Sequence, residues 1–140
     1  MEIKRNLVAK YNVCNDALAT LEDAITLLEE TDEISKNKEY LAFQDSVIKR
    51  FEYSLDVLWK YIKEYLAEKK GITVKSPKDT FREAFKQGLL SEQETSVMLE
   101  IVDNRNETTH RYDSAKAKEM GKIIPKYYDL LIELFERTKP

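Results

Sequence analysis

A chain of 140 residues has the length of one domain, and a net charge of −3 gives it no global attraction to nucleic acid. It has 42% hydrophobic and 35% charged residues, with only three glycines and three prolines, which favours long solvated helices over a turn-rich β-sandwich or a disordered chain. We therefore expect one all-α domain over residues 1–140.

Two amphipathic patterns fill the first half of the chain. Both repeat apolar residues at gaps of three and four, which predicts helices over about 2–30 and 39–70, the second ended by lysines and Gly71. The first seam holds Ile3, Leu7, Tyr11, Cys14, Leu18, Leu21, Ile25 and Leu28. The second holds Val47 or Ile48, Phe51, Leu55, Leu58, Ile62 and Leu66. Cys14, the one cysteine, therefore reads as a buried core residue and fits a reducing, cytoplasmic setting.

The third and fourth predicted helices begin at capping residues. Ser76 and Pro77 supply a capping hydroxyl and a first-position proline for a short helix over about 77–87. Ser91 and Glu94 have the spacing of a capping box, which predicts that the fourth helix starts one residue after the serine. The residues expected on its inner side are Val97, Ile101 and either Asn104 or Arg105.

A fifth helix is predicted from about Ser114. Its inner residues are Ala117, Met120, Ile124, Tyr127, Leu131 and Leu134. Pro125 lies inside this pattern and crowds the carbonyl of Gly121, so we expect a kink there. The five helices predict an antiparallel up-and-down bundle, and helices this long in a small domain favour a homodimer that covers part of a seam.

Hydrogen-bonding residues are concentrated in the segment DNRNETTHRYD, residues 103–113, between the last two helices. It holds the one histidine, and Arg105 and His110 suit metal-free RNA cleavage by attack of the 2′-hydroxyl on the adjacent phosphate. His110 can move protons near neutral pH, while Arg105 can hold the phosphate and keep the histidine neutral. The plainer interpretation is a solvated helix end whose cations favour the C-terminal dipole.

The spacing of Arg105 and His110 sets a geometric condition on a shared site. Residues five apart on an ideal helix point about 140° away from each other. A shared site therefore needs a helix end or a dimer cleft, where facing copies would supply two histidines.

Other chemistries find little support in the sequence. It has no second histidine, no Cys/His spacing for zinc and no glycine-rich phosphate loop, so we expect no metal and no cofactor. No apolar run approaches the roughly 20 residues of a membrane span, and we expect neither a membrane nor DNA as a partner. In the basic stretch 69–86, Lys75, Lys78 and Arg82 are the best local candidates for RNA backbone contact, although such a stretch is usually a solvated face.

The motif RNETTHRY resembles the signature of HEPN-domain proteins, in the subgroup encoded beside a minimal nucleotidyltransferase. The segments FQDSVIKRFEYSLDVLWKYIKEYL, SPKDTFREAFKQGLL and RYDSAKAKEMGKIIPKYYDLL resemble that subgroup in order and spacing. The resemblance therefore covers nearly the whole chain and does not rest on the arginine and histidine alone.

The resemblance implies a five-helix bundle, usually dimeric, with one of two functions. One is a toxin of a type II toxin–antitoxin pair, a metal-independent ribonuclease for tRNA or mRNA, silenced when the nucleotidyltransferase antitoxin transfers AMP to a tyrosine. The other is a non-catalytic subunit that binds a nucleotide or substrate for the nucleotidyltransferase. In the first case Arg105 and His110 would be catalytic, Asn106 would support them and Tyr112 would accept AMP. A purely structural helical adaptor remains a third interpretation.

Overall fold

The computed structural model describes residues 2–31, 38–110 and 113–140, with side chains described for 6–31, 38–108 and 113–140. The described chain forms five α-helices: α1 Glu2–Glu29, α2 Lys38–Lys70, α3 Pro77–Lys86, α4 Glu92–His110 and α5 Ser114–Glu136. Within those ranges, no helix combines the length and the apolar character needed to cross a bilayer. The all-α prediction is confirmed, and each helix boundary lies within about one residue of the expected position.

The predicted helix ends are formed by local hydrogen bonds. At the start of α4, the amide of Ser91 donates to Glu94 Oε1 at 2.8 Å and the amide of Glu94 donates to Ser91 Oγ at 3.1 Å, which is a capping box. Asp113, which was not predicted as a cap, accepts from the amide of Lys116 at 2.8 Å and caps α5. Gly71 follows α2 with φ of 66°. This left-handed conformation often ends a helix, and glycine adopts it without the steric strain of a side chain.

The helices form an antiparallel up-and-down bundle in which the short α3 lies in the link between α2 and α4. α1 and α2 run antiparallel, and the buried hydroxyl of Ser54 donates to the carbonyl of Ala17 across them at 3.2 Å. α5 lies against α2 in the same direction, with the rings of Phe51 and Tyr127 6.2 Å apart. α5 continues through Pro125, and the kink expected there stays a prediction.

The core consists of the predicted seams. All of the seam residues expected on α2 and α5 are buried, as are those of α1 from Leu7 onward except the half-buried Tyr11. Burial also raises the pKa of the Cys14 thiol to about 12, so the thiol stays protonated and unreactive at neutral pH. Cys14 is therefore a core residue, as expected.

One expectation about α4 is wrong. Val97 is 38% exposed, whereas its neighbour Met98 is fully buried. The inward line of α4 passes through Met98, Ile101 and Thr108, at the three- and seven-residue steps that keep side chains on one side of a helix. Arg105, 24% exposed, lies on that line.

The two ends of the α4–α5 hairpin that lie farthest from its turn are joined by a charged pair. Arg137 donates from Nη1 and Nη2 to the two carboxylate oxygens of Glu94, at 2.9 and 3.0 Å. Its Nη1 also donates to the carbonyl of Leu89 at 3.0 Å. The bonds from Arg137 to the carboxylate, together with the amide of Ser91, lower the pKa of Glu94 to about 2.

This carboxylate should make stability depend on acidity. The folded pKa of Glu94 lies below its ordinary value of 4.5, so its contribution is complete above about pH 4.5 and is lost as the pH falls towards 2. We expect Glu94→Gln to lower the free energy of unfolding by about 1 kcal/mol at pH 7 and to match the wild type near pH 2. Urea denaturation at both pH values measures this, with Glu92→Gln as control. A difference that is equally large at the two pH values would contradict the assignment.

Candidate functional site

The polar segment predicted from the sequence forms the last turns of α4 and the link to α5. α4 ends at His110, and Asp113 caps α5. The side chain of His110 and all of Tyr112 lie outside the described residues, so their roles stay predictions. The described part of the site consists of residues 103–108 and the side chains of α2, α3 and α5 that contact them.

Arg105 lies between α4 and α2. Its Nη2 is 3.4 Å from Oδ2 of Asp56, and only 24% of its side chain is exposed. The half-burial strengthens the field of the guanidinium compared with that of a fully solvated arginine. Arg105 is therefore a partly buried cation on the inner edge of α4, and its role in holding a phosphate stays a prediction.

Thr108 joins the same part of α4 to α2 one turn later. It is 5% exposed, and two acceptors share its hydroxyl proton: the carbonyl of Arg105 at 2.8 Å and Oε2 of Glu52 at 3.1 Å. Glu52 and Asp56 are four residues apart on α2, so both face α4. Neither acid was predicted, although their i, i+4 spacing on an amphipathic helix was a visible signal.

Asn104 belongs to a polar network between α4 and α5. Its amide donates to the hydroxyl of Tyr127 at 2.6 Å, and its oxygen accepts from Nζ of Lys116 at 3.3 Å. Tyr127 in turn donates to Glu100 at 2.5 Å, and Lys116 pairs with Glu107 at 2.9 Å. Burial, then the bond to Glu100, raises the pKa of Tyr127, so this hydroxyl stays a donor at neutral pH. The network joins α5 to the face of α4 next to the one that contacts Asp56.

Of the predicted catalytic residues, Arg105 and Asn106 have described side chains, and these two do not lie on one face of α4. Asn106 is exposed, whereas Arg105 points towards α2. His110 is five positions after Arg105 on the same helix, an angle of about 140°. A common site for the two therefore still requires the helix end or a second copy of the chain.

The basic residues of α3 approach the candidate site through one ion pair. Nζ of Lys78 is 2.7 Å from Oδ1 of Asp103, which opens the polar segment. Arg82 pairs with Asp79 within α3 at 3.5 Å, and Lys75 is exposed in the preceding loop. α3 therefore lies beside the motif, but two of the three cations have carboxylate partners, and RNA contact by these residues stays a prediction.

A surface groove with polar lining lies elsewhere on the described part of the chain. A groove of about 790 Å³ between α1 and α2 has mixed lining that includes Asp16, Asp45, Lys49, Arg50 and Tyr53. Two carboxylates and two basic side chains balance the charge of this lining. Chemistry, rather than the size of a groove, therefore places the candidate site at the end of α4.

Comparison with known proteins identifies relatives of the chain. The family model described as "nucleotidyltransferase substrate binding protein like" matches residues 10–139. The chain belongs to this family. Among solved structures, a protein of Thermus thermophilus shares 32% identity with it, covering 91% of this chain and 99% of the other, with a TM-score of 0.78. No curated protein matches the chain.

Two further solved structures share the fold of this chain. One is a mutant of the toxin–antitoxin pair MntA–HpeT, 15% identical, covering 90% of this chain and 96% of the other, with a TM-score of 0.68. The other is a tri-AMPylated HEPN toxin of Shewanella oneidensis in complex with its MNT antitoxin, 13% identical, covering 89% and 95%, also with a TM-score of 0.68. The expected HEPN-type bundle is confirmed.

Proposed function

We propose that this protein is the toxin of a pair with a minimal nucleotidyltransferase antitoxin, and that it cleaves RNA without a metal ion. The main support for this proposal is the motif RNETTHRY at the end of α4, where Arg105 lies half-buried against α2. The family is described by a nucleotidyltransferase partner, and two proteins of the same fold are in toxin–antitoxin complexes. These relatives support the pairing, and the motif supports the chemistry.

The motif residues would divide the reaction between proton transfer and charge stabilisation. A base removes the proton of the 2′-hydroxyl, its oxygen attacks the phosphorus, and the bond to the 5′-oxygen breaks. The leaving oxygen takes up a proton, which gives a 2′,3′-cyclic phosphate and a free 5′-hydroxyl. His110 would transfer protons, and Arg105 would hold the phosphate oxygens as negative charge develops. In a homodimer with facing motifs, two histidines would serve the two transfers.

Regulation would act on the same segment. Tyr112 lies two residues after His110 in the sequence. Its hydroxyl oxygen would attack the α-phosphorus of ATP held by the nucleotidyltransferase, with release of pyrophosphate and of the hydroxyl proton, and the attached AMP would place a phosphate and a nucleoside beside the proton-transfer group. The phosphate of the added AMP would pair with the cation that must bind the RNA phosphate. One modification would therefore block access of RNA and neutralise the positive charge of the site.

The function is tested by expression with and without the neighbouring nucleotidyltransferase. We expect expression alone to arrest growth and His110→Ala to remove the arrest, whereas co-expression should protect the cells. The intact mass should then rise by one or more AMP units. Harmless expression of the unmodified chain would instead favour the non-catalytic substrate-binding subunit, and a mass rise that survives Tyr112→Phe would overturn the assignment of the acceptor.

A further inference from the structure

Two carboxylates of α2 contact the predicted catalytic segment at successive points. Asp56 Oδ2 lies 3.4 Å from Nη2 of Arg105, and Glu52 Oε2 accepts from the hydroxyl of Thr108 at 3.1 Å. Because the two acids are four residues apart on one helix, they present a short acidic edge to α4. Neither residue belongs to the motif.

Thr108 links the contact of Glu52 to the backbone of Arg105. Its buried hydroxyl also bonds to the carbonyl of Arg105 at 2.8 Å. Glu52 therefore contacts the turn of α4 that carries Arg105, while Asp56 contacts the end of its side chain. The two carboxylates are among the contacts that hold the arginine at both ends.

Neither a gain in folding stability nor a gain in RNA affinity explains why the carboxylate of Asp56 lies beside Arg105. An ion pair of 3.4 Å in which 41% of the aspartate side chain is exposed contributes little to folding. A negative charge beside a phosphate-holding arginine also repels RNA. The carboxylate supplies direction, because it adds an orienting contact to a long side chain that has several possible rotamers.

We propose that Asp56, supported by Glu52, is a positioning residue that aims the guanidinium of Arg105 at the phosphate to be cleaved. The predicted effect of Asp56 on the cleavage rate rests on the proposed function. The predicted effect of Asp56 on the order of the Arg105 side chain does not. A misplacement of about 1 Å in a group that holds the transition state costs up to about 10²-fold in rate.

The structural part is tested by nuclear magnetic resonance relaxation of the Nε–H group of Arg105. We expect an order parameter near about 0.85 in the wild type and below about 0.6 in Asp56→Ala. Asp56→Glu, which keeps a carboxylate, should restore part of the order. The matched control is Glu64→Ala. Glu64 lies on α2, as Asp56 does, and forms a 3.2 Å ion pair with Lys10 of α1. An Arg105 that stays ordered in Asp56→Ala would overturn the proposal.

The catalytic part is tested by steady-state RNA cleavage with the same variants. We expect Asp56→Ala to lower kcat by up to about 10²-fold with KM unchanged or lower, since a repulsive charge is lost, and the urea midpoint should stay unchanged. An unchanged kcat, or a kcat that rises because Asp56 competes with the phosphate, would overturn the positioning role. A wild-type protein that does not cleave RNA would overturn the proposed function, and the relaxation measurement would then decide the structural part alone.

Discussion

Replacing Arg105 by alanine should lower RNA cleavage by about 10²–10³-fold while leaving the fold intact. Removing one preorganised donor that stabilises developing negative charge has this cost in other enzymes. Arg105 is half-buried, so water would replace it poorly, whereas its ion pair with Asp56 contributes only about 0–1 kcal/mol to folding. The rate of tRNA cleavage and the urea midpoint, measured on the same preparation, separate the two effects.

The control for this variant is Arg50→Ala. Arg50 is an exposed arginine of α2 whose Nε donates to Ser46 at 3.1 Å and which lines the groove between α1 and α2. This control removes the same charge from the protein but not from the motif. Equal losses in Arg105→Ala and Arg50→Ala would mean that net charge, and not a placed cation, governs the rate. Arg105→Lys should recover only part of the rate, because lysine lacks the planar fork of donors.

Replacing His110 by alanine should cost on the order of 10²–10⁴-fold in cleavage, the usual loss when one proton-transfer group is removed. Binding of uncleaved RNA should change little, because the cation at Arg105 remains. The measurement is cleavage under single-turnover conditions beside RNA affinity. A variant that loses affinity but keeps its single-turnover rate would show that His110 holds the phosphate, as the non-catalytic alternative requires.

A mixing experiment extends this prediction to the dimer. If the motifs of two copies form one site, a mixture of Arg105→Ala and His110→Ala proteins should contain heterodimers with one intact arginine and one intact histidine. Such a mixture should be more active than either variant alone. An activity no higher than the average of the two variants would contradict a shared site in which one arginine and one histidine are sufficient.

Local signals in the sequence were enough to predict the helices. The capping box of Ser91 and Glu94 depends on residues three apart, and the apolar seams depend on a fixed period, so neither needs the tertiary structure. The error at Val97 arose because it is followed by another apolar residue, Met98, and helical spacing alone accepts either. Packing against the other helices decides which of the two turns inward.

The surroundings of the site could not be predicted in the same way. The contact of Arg105 with Asp56 joins residues 49 positions apart, and that of Asn104 with Tyr127 joins residues 23 apart. Both depend on how α4 is aligned along its neighbours, which a single sequence does not determine. The motif itself was visible, because its residues are contiguous in the chain, and it correctly indicated the family.

The central claim, metal-independent RNA cleavage through the 2′-hydroxyl, is tested most directly by the ends of the products. Purified wild-type protein should be incubated with tRNA in EDTA, and with an RNA that carries a 2′-deoxy nucleotide at the identified cleavage position. We predict fragments ending in a 2′,3′-cyclic phosphate, and no cut at the deoxy position. Absence of cleavage in EDTA, or products with a 3′-hydroxyl, would contradict it.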